Sequence, residues 1–226
     1  MTINQLASSA VPATAHAASA DSADSASRRH RLLTVPGAIG IGYALSWIAG
    51  LAVPAPSPKF SASGAQLVSA FAGHAPALAA QSALTEGLPA AGIAVVAIAL
   101  ARVAGSRLAM VAGVTAAVIS VLQFCLGMWL AATSSPVTAH VLYQMVNRMD
   151  GVKMLALAVL GAAGAAALVL PRWLRCTGAA LAIAASGVAY LLLLQSLALL
   201  AGPALVLLLI FITGAGIWLG GSVRGR

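Results

Sequence analysis

The stretch "NRMDGVKM" at 147–154 places Asn147, Arg148, Asp150 and Lys153 within seven positions of a chain that has only twelve basic and four acidic side chains. A carboxylate, an ammonium and a guanidinium at such spacing are the groups that bind ions, grip an anionic headgroup or relay a proton. At 100° per residue, His140, Tyr143, Gln144, Asn147, Arg148 and Asp150 form one arc, and Val141, Leu142, Met145, Val146 and Met149 the other. His140, Gln144 and Arg148 make one i, i+4 row. Arg148 and Asp150 point about 160° apart on this wheel, whereas Asp150 and Lys153 meet at i, i+3 if the helix continues through Gly151. With His74 and Glu86 from the other long connection, His140, Gln144, Arg148, Asp150 and Lys153 define a candidate outer polar site for an anion, a metal or a protein partner. The competing role for the three charges is to anchor a helix end among lipid headgroups.

Other chemistries lack their residues. His16, His30, His74 and His140 all fall outside the long apolar runs, which argues against a haem held by two histidines between helices. Neither paired carboxylates nor a His/Glu metal motif lies within an apolar run, as an intramembrane protease would need. Cys125 and Cys176 have no C-x-x-C spacing and lie roughly 25 Å apart in depth at 1.5 Å per residue, so both are read as small apolar packing residues. No cofactor and no metal is expected. The polar residues inside the runs that stand out are Ser120, Gln123, Tyr190 and Gln195, with Gln123 and Gln195 at similar depth and suited to an interhelical hydrogen bond. No ionisable side chain is expected at mid-depth of any run, which weighs against charge-coupled transport.

The elements that carry these residues follow from composition. With 61% hydrophobic and 7% charged residues, the solvent for most of this chain is the lipid bilayer, since soluble domains carry about 25% charged residues. The net charge of +8 flanks apolar runs instead of forming a stripe, so nucleic acid is not expected as a partner. The sequence predicts an all-α, polytopic bundle. Residues 1–31 form an Ala/Ser-rich, disordered cytoplasmic tail with a basic flank, residues 32–221 a transmembrane domain, and residues 222–226 a short basic cytoplasmic tail. Six spans are expected, at about 32–53, 84–103, 108–132, 152–170, 177–198 and 203–221. "AGPA" at 201–204 supplies the last turn.

An amphipathic helix over 137–150, capped by Ser135 with Pro136 at its first position, is expected to lie on the outer surface and bend at Gly151 into the fourth span. Ser63 and Gln66 have capping-box spacing for a second surface helix. Glycines in "GAIGIG", "GAAG" and "GAG" are spaced for close helix approach, and Trp129, Trp173 and Trp218 suit interfaces. Arg28, Arg29, Arg31, Arg102, Arg107, Arg172, Arg175, Arg224 and Arg226 fall on one side of six spans, and Lys59, Arg148 and Lys153 on the other. That split orients both termini to the cytoplasm.

"NRMDGVKMLALAVL", "LPRWLR" and "LLLLIFITGAGIWLG" resemble a group of bacterial, often actinobacterial, six-helix integral membrane proteins of the domain-of-unknown-function kind, over about residues 32–221. The resemblance implies placement in the bacterial cytoplasmic membrane and supplies no catalytic residues. With so little chemistry expected inside the bundle, the sequence points first to a non-enzymatic membrane or accessory protein that engages a partner or ligand at its outer loops. A small-solute or lipid transporter is the alternative, and a membrane enzyme comes third.

Overall fold

A computed structural model describes residues 34–193 and 201–222, so the two predicted tails and Gln195 lie outside the described residues. In order, the helices are α1 (Val35–Leu51), α2 (Gly64–Phe71), α3 (Ala75–Ser82), α4 (Leu88–Ala104), α5 (Arg107–Ala132), α6 (Pro136–Ala166), α7 (Arg172–Leu193) and α8 (Ala201–Ser222). A five-residue π-turn, Ala83–Gly87, joins α3 to α4, so Ala75–Ala104 is one helical rod. No strand occurs among the described residues.

The starts and stops have local causes. The Ser63 hydroxyl accepts from the Gln66 amide while the Gln66 side chain accepts from the Ser63 amide, completing the capping box of α2. Ser106 caps α5 through the Ala109 amide, and Ser135 caps α6 through that of Thr138, one residue ahead of Pro136. Gly105, at φ 64°, ends α4 in the left-handed conformation that glycine adopts without strain.

The six longest helices close into a ring in which α1 packs on α4, α4 on α5, α5 on α6, α6 on α7, α7 on α8 and α8 on α1. Small residues set the close approaches. A Cβ on Gly161 would come within 2.7 Å of the Gly178 carbonyl, so α6 and α7 touch backbone to backbone. Thr213 Oγ1 donates to Gly40 O at 2.9 Å where α8 crosses α1. Val96, Leu100, Leu157, Leu160, Leu174, Leu181, Phe211 and Ile212 fill the interior. The outward side chains are apolar too, among them Leu45, Val111, Val118, Trp129, Ile183 and Val206.

Four helical rods are long and apolar enough to cross a membrane, Ala75–Ala104, Arg107–Ala132, Pro136–Ala166 and Ala201–Gly221, and Val35–Leu51 is a shorter apolar helix. Apolar helices with an apolar exterior are the pattern of a membrane protein, in which every backbone group bonds within its own helix.

Several sequence expectations change. Gly151 is no elbow: α6 runs unbroken for 31 residues, and the glycines with positive φ are Gly73 and Gly105. A mid-helix glycine costs about 1 kcal/mol relative to alanine, which the packing of so long a helix readily offsets. One side of α6 faces into the protein, with Leu142 and Lys153 buried and Tyr143, Gln144, Asn147 and Asp150 half-buried on it, while His140 and Arg148 of the same polar arc are exposed together with Val137, Val141, Met145 and Val152. The second rod begins at Ala75, nine residues ahead of the expected 84, because the π-turn absorbs Glu86 without ending the helix. Ala201 and Gly202 belong to the first turn of α8, where Pro203 needs no amide donor. Cys125 and Cys176 are both exposed on the outside of the bundle, and so pack no interior.

Candidate functional site

Lys153 organises the site. About half a turn beyond the middle of α6, its side chain is 4% exposed, and the ammonium lies 2.9 Å from both Glu86 carboxylate oxygens and 2.7 Å from Asp150 Oδ1. The Asp150 contact is the i, i+3 pair that a continuous helix allows. The Glu86 contact spans 67 residues of sequence and is made possible by the π-turn. A π-turn inserts an extra residue into the helical register, and here it turns Glu86 inward between α1, α5 and α6. Gly50 of α1 makes room for that turn, since a Cβ there would lie 2.6 Å from Thr85 Cγ2.

Gln123 on α5 extends the network. Its Nε2 donates to Val146 O at 3.0 Å and, more weakly, to Asp150 Oδ1 at 3.4 Å, while its Oε1 is buried without a hydrogen-bond partner among the described residues. On α1, the Tyr43 hydroxyl is likewise buried with no hydrogen bond of ordinary length, the Trp47 side chain being its neighbouring donor. Such orphaned polar atoms are uncommon in a bundle whose backbone is satisfied by its own helices.

Two cavities meet at Glu86. One, of about 160 Å³, is lined by Tyr43, Trp47, Glu86, Ser120 and Lys153 with Ile93, Met154, Leu157 and Leu208 as apolar walls. The other, of about 260 Å³, is more polar and is lined by Ser57, Gln81, Glu86, Gln123, Tyr143 and Asn147. Thr85 and Glu86 belong to both. The second cavity lies under a cap made by the 54–62 segment, α2 and α3. Tyr143 Oη donates to Pro58 O at 2.7 Å and Gln144 Nε2 to Phe60 O at 3.0 Å, while Leu67 and Phe71 pack on Leu130, Ala139 and Leu142.

Depth follows from helix rise. Glu86 stands sixteen residues from Arg102, and Gln123 sixteen from Arg107, which is about 24 Å at 1.5 Å per residue. Lys153 is twelve residues from Ala165, whose carbonyl accepts from Arg175 Nε, or about 18 Å. The charged network therefore stands well above the arginine end of the helices, inside the ring.

The sequence-derived candidates divide. Glu86, Asp150, Lys153, Ser120 and Gln123 come together, although the sequence assigned the first three to an outer surface and the last two to a separate intramembrane set. Two buried or half-buried carboxylates and an ammonium between helices also overturn the expectation that the interior is free of charge. His140, Gln144 and Arg148 keep their row and line one shallow outward groove with Val141 and Met145, away from the network. His74 is exposed, with Nδ1 3.0 Å from Ala72 O. Tyr190 is exposed on α7 and joins no part of the network, and Ser186 bonds within its own helix. Residues that sequence reasoning missed are Tyr43, Trp47 and Thr85. Their signal was slight: Tyr43 and Ser46 are the two hydroxyls of an otherwise apolar helix, and Thr85 is the neighbour of the one carboxylate in "ALTEG". No group of three or more metal-ligating side chains occurs among the described residues.

No family model, no curated protein and no solved structure matches this chain.

Proposed function

We propose that this chain is a multi-pass protein of the bacterial cytoplasmic membrane that admits a small solute from the outer face to a buried charged site, as a transporter or solute-binding membrane protein does. The observation that carries the reading is the Lys153 ammonium shared by Glu86 and Asp150 at the junction of two cavities. An ionisable cluster inside a helix bundle is costly to bury and marks function more often than structure. The sequence favoured a non-enzymatic accessory role because it placed no charge inside, and that ground is gone.

Six crossings with both termini cytoplasmic suit the arginine distribution. With Lys153 buried, only Lys59 and Arg148 remain as outer cations against nine arginines on the inner side. The resemblance to actinobacterial-type six-helix proteins agrees with this placement. The polar cavity under the 54–62 cap then opens towards the outer side and gives the solute its route. The accessory reading keeps one specific support: the outward groove of His140, Gln144 and Arg148, which a protein partner could occupy. A membrane enzyme stays third, as the sequence ranked it.

The test is solvent access. In a variant with Cys125 and Cys176 replaced by alanine, Thr85→Cys is exposed to a membrane-impermeant methanethiosulfonate added outside intact cells. Modification of the new thiol is expected. A thiol that reacts only after the membrane is dissolved refutes an outward-facing entry.

A further inference from the structure

We infer that the 160 Å³ cavity binds a small organic ammonium ion carrying an apolar group, in contact with Tyr43, Trp47 and Glu86. This deepens the reading of a solute site and rests on it. Charge sets the sign of the ligand. Two carboxylates share one ammonium, so with both ionised the network carries a formal charge of −1, which a bound cation complements.

Shape sets the class. The walls are aliphatic and aromatic, and a cavity of this volume matches a group of about six heavy atoms, since a 150 Å³ cavity holds benzene. A hydrated metal ion would face Ile93, Leu157 and Leu208 with nothing to replace its water shell, whereas an alkylammonium presents one charged end and one apolar end. Trp47 and Tyr43 offer ring faces of the kind that attract ammonium ions.

A second observation points to a ligand independently of the charges. Tyr43 is 2% exposed, lines this cavity and has a buried hydroxyl that makes no hydrogen bond of ordinary length among the described residues, its neighbouring donor being the Trp47 side chain one turn on. An ammonium N–H donor directed at that oxygen would satisfy it while its remaining protons reach Glu86. Lys153 already spends its three protons on Glu86 and Asp150, so it leaves Tyr43 unserved. The ligand enters as a second cation beside Lys153.

The experiment uses the full-length protein in cells, with the Thr85→Cys thiol as reporter in the cysteine-replaced background. Three probes that carry the same isoamyl group are compared as protectants against the impermeant reagent: isoamylammonium, isoamyl alcohol and isocaproate. Protection by the ammonium at a concentration at least tenfold below that needed for the other two is expected. Tyr43→Phe should raise that concentration about tenfold, the loss of one hydrogen bond to a charged group. Glu86→Gln should abolish the preference for the cation. A thiol modified from outside but protected equally by all three probes, or best by isocaproate, overturns the ammonium assignment and leaves the solute site standing. Protection by sodium chloride at the same concentration as the amine overturns it too, in favour of an inorganic cation. A thiol never modified from outside removes the solute reading itself, and this inference with it.

Discussion

Lys153→Met tests the charge network most directly. Methionine keeps the apolar length of the side chain, so the substitution removes the ammonium and opens little space. What remains is Glu86 and Asp150 with no cation between them, their side chains 17% and 33% exposed. Removing one partner of a buried ion pair costs about 3–5 kcal/mol, because the other charge is left uncompensated. Asp150 is a third exposed and retains the Gln123 amide, so water and that donor relieve part of the penalty. The expected loss is therefore about 3 kcal/mol, at the lower end of the range.

Lys153→Met combined with Glu86→Gln leaves a single carboxylate that is partly solvated. It should recover about 2 kcal/mol of the loss, so the two changes are strongly non-additive. Adding Asp150→Asn should bring the triple variant close to the parent protein, as replacement of a whole buried ion cluster generally does. The assay is reversible unfolding in detergent micelles titrated with sodium dodecyl sulfate, followed by helical circular dichroism. A Lys153→Met protein within about 1 kcal/mol of the parent, with additive doubles, would refute the claim that the ammonium compensates these carboxylates inside the bundle.

The helix contacts make further predictions. Gly161→Val drives its side chain into the Gly178 carbonyl, 2.7 Å from the ideal Cβ position, and should lower stability in the same titration by about 3 kcal/mol; Gly42→Ala, with nothing within 4 Å, should change it by less than about 1 kcal/mol. Ser63→Ala removes the cap of α2 and should cost about 1 kcal/mol locally, seen as faster hydrogen exchange over 64–71. For the proposed orientation, a reporter that works only in the cytoplasm, fused after Arg226, should be active; an inactive fusion at normal abundance refutes even-numbered crossing with the N-terminus inside.

Much of the fold was written locally. Ser63 with Gln66, and Ser135 with Pro136, are cap signals that need only neighbours three residues away, and both form as expected. The small residues of "GAAG" foretold a tight helix contact without naming its partner, which the structure shows to be Gly178 for Gly161 and Phe211 for Gly164. Gly151 misled because its backbone freedom was taken as a bend, although Ser135 and Pro136 had already begun a helix and no proline follows until Pro171.

The network itself was hidden for a different reason. A helical wheel shows which residues share an arc but not where the arc faces, and the facing depends on the solvent. Around a soluble domain water takes the polar arc; around a bundle in hydrocarbon, the apolar arc goes out and the polar one seeks partners inside. Reading residues 137–150 as a helix lying on the membrane surface turned Tyr143, Asn147 and Asp150 towards water, the opposite of what the long continuous helix does with them, although His140 and Arg148 of the same arc stay exposed. Once the arc faces inward, Lys153, one turn beyond Asp150, can no longer reach an exposed surface and must find anions within the ring. Asp150 supplies one by helical spacing, and the only glutamate in the chain supplies the other across 67 residues, by way of a π-turn that no propensity in "ALTEG" announces.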